Sequence, residues 1–354
     1  MMGPLRGALR ASLPRYGKKV EAASGVRLFS RSINPSAASF DEMLEFPPPS
    51  CNQLRPEEQK KKAEFERRRA GAPMVYASYS IQGMRPSMED RYDAYAPHID
   101  DDPMSIFGIF DGHAGSECAE YLSHVLIKTL VQEKISALPD DLEQRKEVID
   151  NIFLSADLAF CNYAKARGIP AGSSALVAMI EREPVTKTPR KAWFANAGDS
   201  RAVVVRKSGR VKQLNRELSP ELEDERERIY NEGGFVKYDM PFARDGNKGT
   251  LRVNGVLAMS RAFGNFSLKP FVTALPEITF RTLRKDDLYI CMASDGLWEA
   301  VGNEDVADHL LQYGPRLGVE KLANLALKRG SSDNITIQAI GLNLGLENLP
   351  MDDD

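Results

Sequence analysis

The stretch Phe107-Gly108-Ile109-Phe110-Asp111-Gly112-His113 is an apolar run that ends on an aspartate followed by a glycine. A short apolar run bounded by turn residues is typical of a buried β-strand, and Asp-Gly favours the turn that ends it. Further apolar runs end close to Asp199 and Asp295, while Asp333 precedes one and Glu89-Asp90 forms another acidic pair. We therefore expect carboxylates from distant parts of the chain to lie at the ends of buried strands.

Short apolar runs separated by turn residues continue from about residue 74 onward. Neighbouring pairs of predicted strands, with helices grouped between them, favour an α+β layered fold with antiparallel sheets. The predicted strands cover Met74–Ile81, Ile106–Phe110, Ala175–Ile180, Ala192–Asn196, Ala202–Arg206, Asp287–Ala293 and Asn334–Ile340. The predicted helices, which have apolar residues at helical spacing, cover Ala114–Lys134, Asp141–Arg167, Leu222–Glu232, Glu304–Tyr313 and Val319–Arg329.

The chain of 354 residues carries 47 Lys and Arg against 50 Asp and Glu, but the two signs are unevenly distributed. Residues 1–40 contain seven basic residues and one acidic residue, residues 41–72 contain seven of each, and residues 73–354 contain 33 basic and 42 acidic residues. Phosphate backbones are bound by clustered Lys and Arg, so we expect no nucleic-acid partner. No apolar run reaches the roughly 18 residues of a membrane span, and the four scattered cysteines favour free thiols.

The ends of the chain differ in composition from its centre. The first 40 residues are basic and rich in Ser and Ala, which is typical of a mitochondrial transit peptide, so we predict a protein of the mitochondrial matrix. A basic tail on a cytoplasmic protein is the alternative. Residues 41–72, with Pro47-Pro48-Pro49 and a charged helical pattern, are predicted to be a linker. Residues 73–344 would then form the folded domain, and residues 345–354 an acidic tail.

The acidic positions predict a metal centre. Any one of these aspartates alone is explained by a turn, but several converging carboxylates repel one another unless a positive charge lies among them. Hard oxygen ligands, with only His113 nearby and no paired thiols, favour Mg²⁺ or Mn²⁺ over Zn²⁺. Two such ions about 4 Å apart can activate a bridging water for attack on phosphorus. Arg85 would add a bidentate donor for phosphoryl oxygens, so phosphoester hydrolysis is the expected reaction.

Seven motifs resemble, in their order along the chain, those of the metal-dependent serine/threonine protein phosphatases of type 2C. The resemblance covers about residues 74–342 and implies a central β-sandwich of two antiparallel sheets flanked by helices on both sides, in α-β-β-α layers. It also implies hydrolysis of phosphoserine and phosphothreonine by direct attack of an activated water, without a covalent phosphoenzyme. The motifs are Arg85-x-x-x-Glu89-Asp90, Asp111-Gly112-His113-Ala114-Gly115, Gly172-Ser173-Ser174, Gly198-Asp199-Ser200-Arg201, Leu257-Ala258-Met259-Ser260-Arg261-Ala262-Phe263-Gly264, Asp295-Gly296-Leu297-Trp298 and Asp333-Asn334.

Carried over position by position, the resemblance implies a centre for two Mn²⁺ or Mg²⁺ ions bridged by Asp111, with a weaker third ion beside them. It also implies roles in catalysis for three further residues. Arg85 would grip the substrate phosphate, His113 would protonate the leaving serine or threonine oxygen, and Asp90 would hold water at the ions. The implied ligands are Glu89, Asp111 and the Gly112 carbonyl for one ion, Asp111, Asp295 and Asp333 for the second, and Asp199, Asp295 and Glu299 for the third.

Three positions depart from the family pattern. Asn265 stands where relatives usually have Asp; an asparagine keeps an oxygen acceptor but lacks the charge, so we expect a change beside the metals rather than the loss of an ion. Glu299 stands where Asp is common, which moves a carboxylate by one methylene. Glu217-Leu218-Ser219-Pro220 replaces the usual Asp-His-Lys-Pro, which predicts an altered local structure.

Two other functions stay open at this point. A catalytically silent scaffold that binds a partner protein is favoured by Asn265 and by the altered segment 217–220, but a decayed enzyme would be free to lose its acidic residues, and this chain keeps them. Another two-metal hydrolase, such as a nuclease, is disfavoured by the acidic body. For the phosphatase, the expected partners are phosphoprotein substrates, and we expect a monomer.

Overall fold

The computed structural model describes residues 74–97, 102–138, 141–183, 188–240 and 249–342. Two five-stranded antiparallel sheets form its centre, and two smaller sheets lie beside them. The predicted transit peptide, the linker and the acidic tail 345–354 lie outside the described residues. The strands are β1 Tyr76–Ile81, β2 Arg91–Tyr95, β3 Met104–Phe110, β4 Gly112–His113, β5 Gly172–Ser173, β6 Ala175–Arg182, β7 Pro189–Ala197, β8 Arg201–Arg206, β9 Val211–Gln213, β10 Val236–Tyr238, β11 Leu251–Val253, β12 Phe263–Gly264, β13 Glu277–Thr282, β14 Asp287–Ala293 and β15 Ile335–Gly341.

The first sheet has the strand order β1-β15-β14-β8-β9, and the second has the order β13-β7-β6-β3-β2. Alternation along β14 shows how the layers are built, because successive side chains of a strand point to opposite faces. Ile290 and Met292 lie in the apolar core shared with Phe107 and Phe194 of the second sheet. Cys291 lies in a different core, which the first sheet forms with helical residues. Each face of the first sheet is therefore covered.

The helices form the two outer layers. The helix α1 packs against β2 and β3 of the second sheet, and the long C-terminal helix α5 packs against β1 and β15 of the first. The helix α2 begins after Asp141, whose side chain accepts hydrogen bonds from Glu143 N and Gln144 N, and ends at Gly168. The helices are α1 Glu117–Gln132, α2 Leu142–Arg167, α3 Glu223–Asn231, α4 Asp295–Trp298 and α5 Asn303–Lys328.

The predicted α+β sandwich, with helices on both sides in α-β-β-α layers, is confirmed. The two predicted helices Glu304–Tyr313 and Val319–Arg329 correspond to the two parts of α5, which are separated at Gly314, where φ is +67° and ψ is 179° and the backbone is not helical. The prediction also missed β2 and β13, the two edge strands of the second sheet. None of the helices in the described ranges combines the length and the hydropathy needed to cross a bilayer.

The smaller sheets lie next to the strand ends that carry the acidic residues. β4 pairs with β5, which places Gly112 opposite Ser173, and β5 pairs in turn with β12. The hairpin β10–β11 and the helix α3 form a separate unit with its own small core, which includes Ile229, Val253 and Met259. We call residues 223–240 and 249–272 the flap.

Candidate metal centre

Three of the predicted ligands meet in the structure. Asp111 follows β3, Asp199 lies between β7 and β8, and Asp295 is the first residue of α4, directly beyond β14. Each offers a carboxylate oxygen within 4.8 Å of those of the other two. Because β3 belongs to the second sheet and β14 to the first, the packing of the sandwich brings the carboxylates together.

The pKa values of these carboxyl groups show how unfavourable their proximity is. Burial, and then the charge of neighbouring aspartates, raises the pKa of Asp111 and of Asp295 well above the usual range. Burial raises the pKa of Asp199 to about 6, and the charges of Glu217, Glu299 and Asp333 add to the effect. One buried oxygen of Asp199, Oδ1, has no hydrogen-bond partner among the described residues. A donor set of this kind fits a divalent cation, which would neutralise the charge and satisfy the free oxygen.

Asp90 lies in the wall behind these carboxylates and is 3% exposed. Its Oδ2 accepts a hydrogen bond of 2.9 Å from the Ser294 hydroxyl, whose oxygen accepts one of 3.0 Å from the amide of Thr336. Burial raises the pKa of Asp90 to about 6, and its charge raises the pKa of Asp111. Asp90 is therefore held close to Asp111 by the strand end that also carries Asp295.

Glu89 and Gly112 approach each other at the edge of the cluster. A β-carbon at Gly112 would overlap the Glu89 carbonyl oxygen, so only glycine allows this contact. The Glu89 carboxylate accepts hydrogen bonds from the Ser87 hydroxyl at 2.8 Å and from the Gly115 amide at 3.2 Å. The backbone of Glu89 therefore lies against Gly112, the neighbour of Asp111, but the Glu89 carboxylate is not among the three carboxylates that share the short distances.

Asp333 lies beside the Asp295 turn through a close contact between two turns, although its carboxylate is not among the three that share the short distances. A β-carbon at Gly296 would overlap the Asn334 carbonyl oxygen, so the Asp295-Gly296 turn lies directly on the Asp333-Asn334 turn. The charge of Asp333 raises the pKa of Asp90, Asp199 and Asp295. Its Oδ2 accepts a 2.6 Å hydrogen bond from Arg85 Nη2, so in this structure the arginine pairs with a predicted metal ligand.

Glu299 is exposed one turn beyond Asp295 in the chain. Its charge raises the pKa of both Asp199 and Asp295, so it acts on the cluster from the solvent side. It is not among the three carboxylates that share the short distances. Of the predicted third-ion ligands, the structure brings Asp199 and Asp295 together and leaves Glu299 at the rim.

His113 lies on β4 and contacts Asn265, one of the three departures from the family pattern. Its Nε2 is 2.9 Å from Asn265 Oδ1. Burial lowers the pKa of His113, while the hydrogen bond to Asn265 and the charge of Glu89 act in the opposite direction. The histidine is thus held at the side of the cluster that Glu89 and Gly112 occupy.

Sequence reasoning missed the polar residues that hold the ligands in place. The hydroxyl of Ser174 accepts a 3.2 Å hydrogen bond from the Asp111 amide and is 3.1 Å from the hydroxyl of Ser200. Asn334 accepts from the amide of Glu89 at 2.7 Å and donates to two carbonyls of the loop that carries Arg85. The available signal was a polar residue directly beside a predicted ligand, as at Ser200, Ser294 and Asn334.

A sandwich of two antiparallel sheets whose strand ends converge on a carboxylate cluster defines a protein suited to hold divalent cations. The comparison with family models gives the class a name, because the protein phosphatase 2C model matches residues 74–335. The chain belongs to the protein phosphatase 2C family.

Individual relatives agree with this assignment. The chain is 39% identical over 258 residues to the rice (Oryza sativa subsp. japonica) protein named "Probable protein phosphatase 2C 52", covering 73% of this chain and 48% of the relative. It is 40% identical over 258 residues to the rice protein named "Probable protein phosphatase 2C member 13, mitochondrial", covering 73% of this chain and 65% of that one. The chain thus spans about half to two thirds of the length of these relatives.

Solved structures share the fold. A sex-determining protein of C. elegans superimposes with a TM-score of 0.66 at 25% identity, covering 80% of this chain and 67% of that one. A serine-threonine phosphatase 2C of Toxoplasma gondii gives a TM-score of 0.64 at 20% identity, covering 76% of this chain and 94% of that one.

Proposed function

We propose that this chain is a protein serine/threonine phosphatase that hydrolyses phosphoserine and phosphothreonine at a centre of two Mn²⁺ or Mg²⁺ ions. The observation that carries the proposal is the cluster of Asp111, Asp199 and Asp295, with ligand oxygens within 4.8 Å of one another and pKa values raised by burial and mutual charge. Such a cluster is costly in a metal-free protein, and family membership supports the phosphatase reading.

The ligands that would hold the ions, a weaker third ion included, come from five segments of the chain at the ends of the strands. Two hard dications held there would lower the pKa of a bound water and stabilise negative charge on phosphoryl oxygens. Asp90, fixed by Ser294, would orient the attacking water from the buried side. The proposed ligands are Asp111, Glu89 and the Gly112 carbonyl for one ion, Asp111, Asp295 and Asp333 for the other, and Asp199 and Glu299, with Asp295, for a weaker third.

Arg85 and His113 would act on the substrate. Arg85 is exposed and pairs with Asp333. If Asp333 instead binds a metal ion, the guanidinium of Arg85 would be available to bind the substrate phosphate. In the reaction, the water oxygen forms a new bond to phosphorus, and the bond to the serine oxygen breaks and leaves its electron pair there. That oxygen takes a proton from protonated His113, and the proton lost by the water restores the histidine through solvent.

The proposed substrates are phosphoproteins, and the proposed location is the mitochondrial matrix, with the cytoplasm as the alternative. The basic first 40 residues support import. One of the similar rice proteins carries "mitochondrial" in its name. Import of the full chain into isolated mitochondria, followed by protease protection, would test this part of the proposal; a chain that stays accessible to protease would contradict it.

The test of the activity is phosphate release from phosphoserine and phosphothreonine peptides by the full chain, with Mn²⁺ or Mg²⁺ and with excess EDTA. We expect hydrolysis with either metal and none with EDTA, restored when metal is added back. Activity that survives chelation would refute the proposal. Calorimetric titration with Mn²⁺ distinguishes the proposed phosphatase from the alternative, a catalytically silent scaffold. The scaffold would bind no metal and release no phosphate.

A further inference from the structure

The hairpin that joins β8 to β9 concentrates positive charge in a domain that is acidic as a whole. Residues 206–212, with the sequence Arg-Lys-Ser-Gly-Arg-Val-Lys, contain four basic residues and no acidic one, whereas residues 73–354 contain 33 basic and 42 acidic residues. The hairpin lies at an edge of the first sheet, because β9 is the last strand in the order β1-β15-β14-β8-β9. The edge of this sheet therefore carries a local charge opposite to that of the domain.

The positive charges of the hairpin are not neutralised by the described residues. The side chains of Lys207, Arg210 and Lys212 are exposed and form no ion pair within those residues. Arg206 Nε lies 3.3 Å from Asp287, but this buried carboxylate also pairs with Arg281 at 3.0 Å, so one positive charge is left over. Cations without a carboxylate partner in their own protein are available to the anionic groups of another molecule.

Residues of the hairpin and of the first turn of α5 line a groove. The groove has a volume of about 460 Å³, which is within the range of ligand-binding clefts. Its lining contains three basic residues and one acidic residue, Glu304. We call this site the basic groove, and the residues that line it are Arg206, Gly209, Arg210, Val211, Lys212 and Glu304.

The basic groove lies at the opposite end of β8 from the candidate metal centre. β8 begins at Arg201, two residues after Asp199, and ends at Arg206. Five steps of about 3.3 Å along an extended strand separate these two ends by about 17 Å. A peptide bound at both places therefore needs at least about six extended residues between the groove and its phosphorylated residue.

We propose that the basic groove is a docking site for an acidic segment of the phosphoprotein substrate, separated from the phosphorylated residue by at least about six residues. This inference rests on the proposed function and adds a substrate class to it. The acidic side chains of such a segment would be repelled by the carboxylates of the metal centre and attracted by Lys207, Arg210 and Lys212, so charge would also set the direction in which the substrate lies. A short acidic segment fits better than a nucleic acid or a membrane, because the acidic remainder of the domain would repel an extended anionic surface.

Docking away from the reacting phosphate makes a kinetic prediction. Contacts in the groove are the same in the bound substrate and in the transition state, so they lower KM and leave kcat unchanged. One exposed charge pair contributes little, but several together should lower the KM of a phosphoserine peptide about 5-fold to 20-fold. We expect this gain when a run of glutamates lies about ten residues from the phosphoserine, and no gain when the same run lies directly beside it.

The test variant is Arg210→Gln combined with Lys212→Gln in the full chain. Both side chains are exposed, so the change removes two charges of the groove without disturbing the core. The matched control is Lys128→Gln combined with Lys134→Gln, which removes two exposed cations near the end of α1. The groove variant should lose the KM advantage of the distant glutamates and keep its kcat and its hydrolysis of p-nitrophenyl phosphate, while the control variant should keep the advantage. An equal loss in the control, or an equal rise in KM for both peptides, would show a general effect of net charge and overturn the proposal.

A binding measurement tests the groove without catalysis. Fluorescence anisotropy of an unphosphorylated glutamate-rich peptide with the full chain in EDTA should show saturable binding, weakened about 5-fold or more in the groove variant and weakened further by salt. No binding, equal binding by the groove variant, or groove-dependent binding of phosphatidylserine vesicles in place of the peptide would overturn the proposal. Tighter peptide binding after Asp352, Asp353 and Asp354 are changed to Asn would assign the groove to the acidic tail of this chain and would also overturn it. If neither phosphopeptide is hydrolysed but groove-dependent binding remains, the proposed function fails and the groove is still a site for an acidic segment.

Discussion

Replacement of Asp199 by asparagine is expected to stabilise the metal-free protein. Asp199 carries an oxygen without a hydrogen-bond partner among the described residues, and its pKa is raised from the usual 3.8 to about 6. This difference in pKa corresponds to about 3 kcal/mol of free energy, at about 1.4 kcal/mol for each pKa unit. This figure is reduced because the site is partly open to solvent and because the neighbouring carboxyl groups share the protonation with Asp199. We therefore expect a gain of about 2 kcal/mol in the free energy of unfolding.

The pH dependence of the gain has a definite sign. A carboxyl group with a raised pKa in the folded state binds its proton more tightly there, so the stability of the wild-type protein falls as pH rises from about 4 to about 6. Below this window Asp199 is protonated in both states and the variant gains nothing; above it the variant has the full advantage.

The assay is urea unfolding in excess EDTA at about pH 7.5 and about pH 4, with thermal unfolding as a check, where about 2 kcal/mol corresponds to about 4–8 °C. The matched control is Asp308→Asn, since Asp308 is exposed on α5, and it should change stability by less than about 0.5 kcal/mol. Saturating Mn²⁺ should remove or reverse the advantage of Asp199→Asn. A variant that is less stable than wild type in EDTA at the higher pH would refute the account of the cluster as a repulsive ligand set.

Three further substitutions test the site. Asp111→Ala should lower phosphopeptide hydrolysis by several orders of magnitude while the metal-free protein stays folded by circular dichroism, since it removes the proposed bridging ligand and one repelling charge; retention of most of the activity would contradict the proposed role. Arg85→Ala should raise KM about 10-fold to 100-fold for phosphopeptides, because a charge-assisted contact to phosphate is lost, and an unchanged KM would show that Arg85 serves only Asp333. Gly172→Ala should displace Asn265, slow phosphopeptide hydrolysis and lower the melting temperature; a crystal structure with the side chain of Asn265 in place would contradict this.

The sequence predicted those strands that are buried on both faces. All residues of β3 and of β15 are buried, so both strands are mostly apolar, interrupted only by the buried polar residues Ser105 in β3 and Thr336 and Gln338 in β15. The missed strands β2 and β13 lie at the edges of the second sheet and carry partly exposed charged residues such as Arg91 and Glu277. An edge strand with polar side chains has no periodic apolar signal, and it is recognised only from its hydrogen-bonded neighbour.

The sequence predicted a larger set of carboxylates next to buried strands, and the structure brings three of them, Asp111, Asp199 and Asp295, within the short distances. It could not give their distances, since these depend on how the two sheets pack. The 4.8 Å grouping of Asp111, Asp199 and Asp295, the pairing of Arg85 with Asp333 and the exposed position of Glu299 were therefore outside its reach. Each of these features depends on residues that are far apart in the chain, and local sequence patterns carry no information about such contacts.

The core of the sandwich explains why a repulsive cluster can persist. Phe107 and Ile109 of β3 and Met292 of β14 are fully buried between the sheets, and each such side chain contributes about 1.5–3 kcal/mol to stability. These residues lie within a few positions of Asp111 and Asp295, so the packing that holds the strands also sets the distance between the carboxylates. The backbones that carry Asp111 and Asp295 cannot move apart unless a strand shifts and apolar contacts are lost. The repulsion is thus held in place by rigid strands, and a dication can relieve it without a rearrangement of the fold.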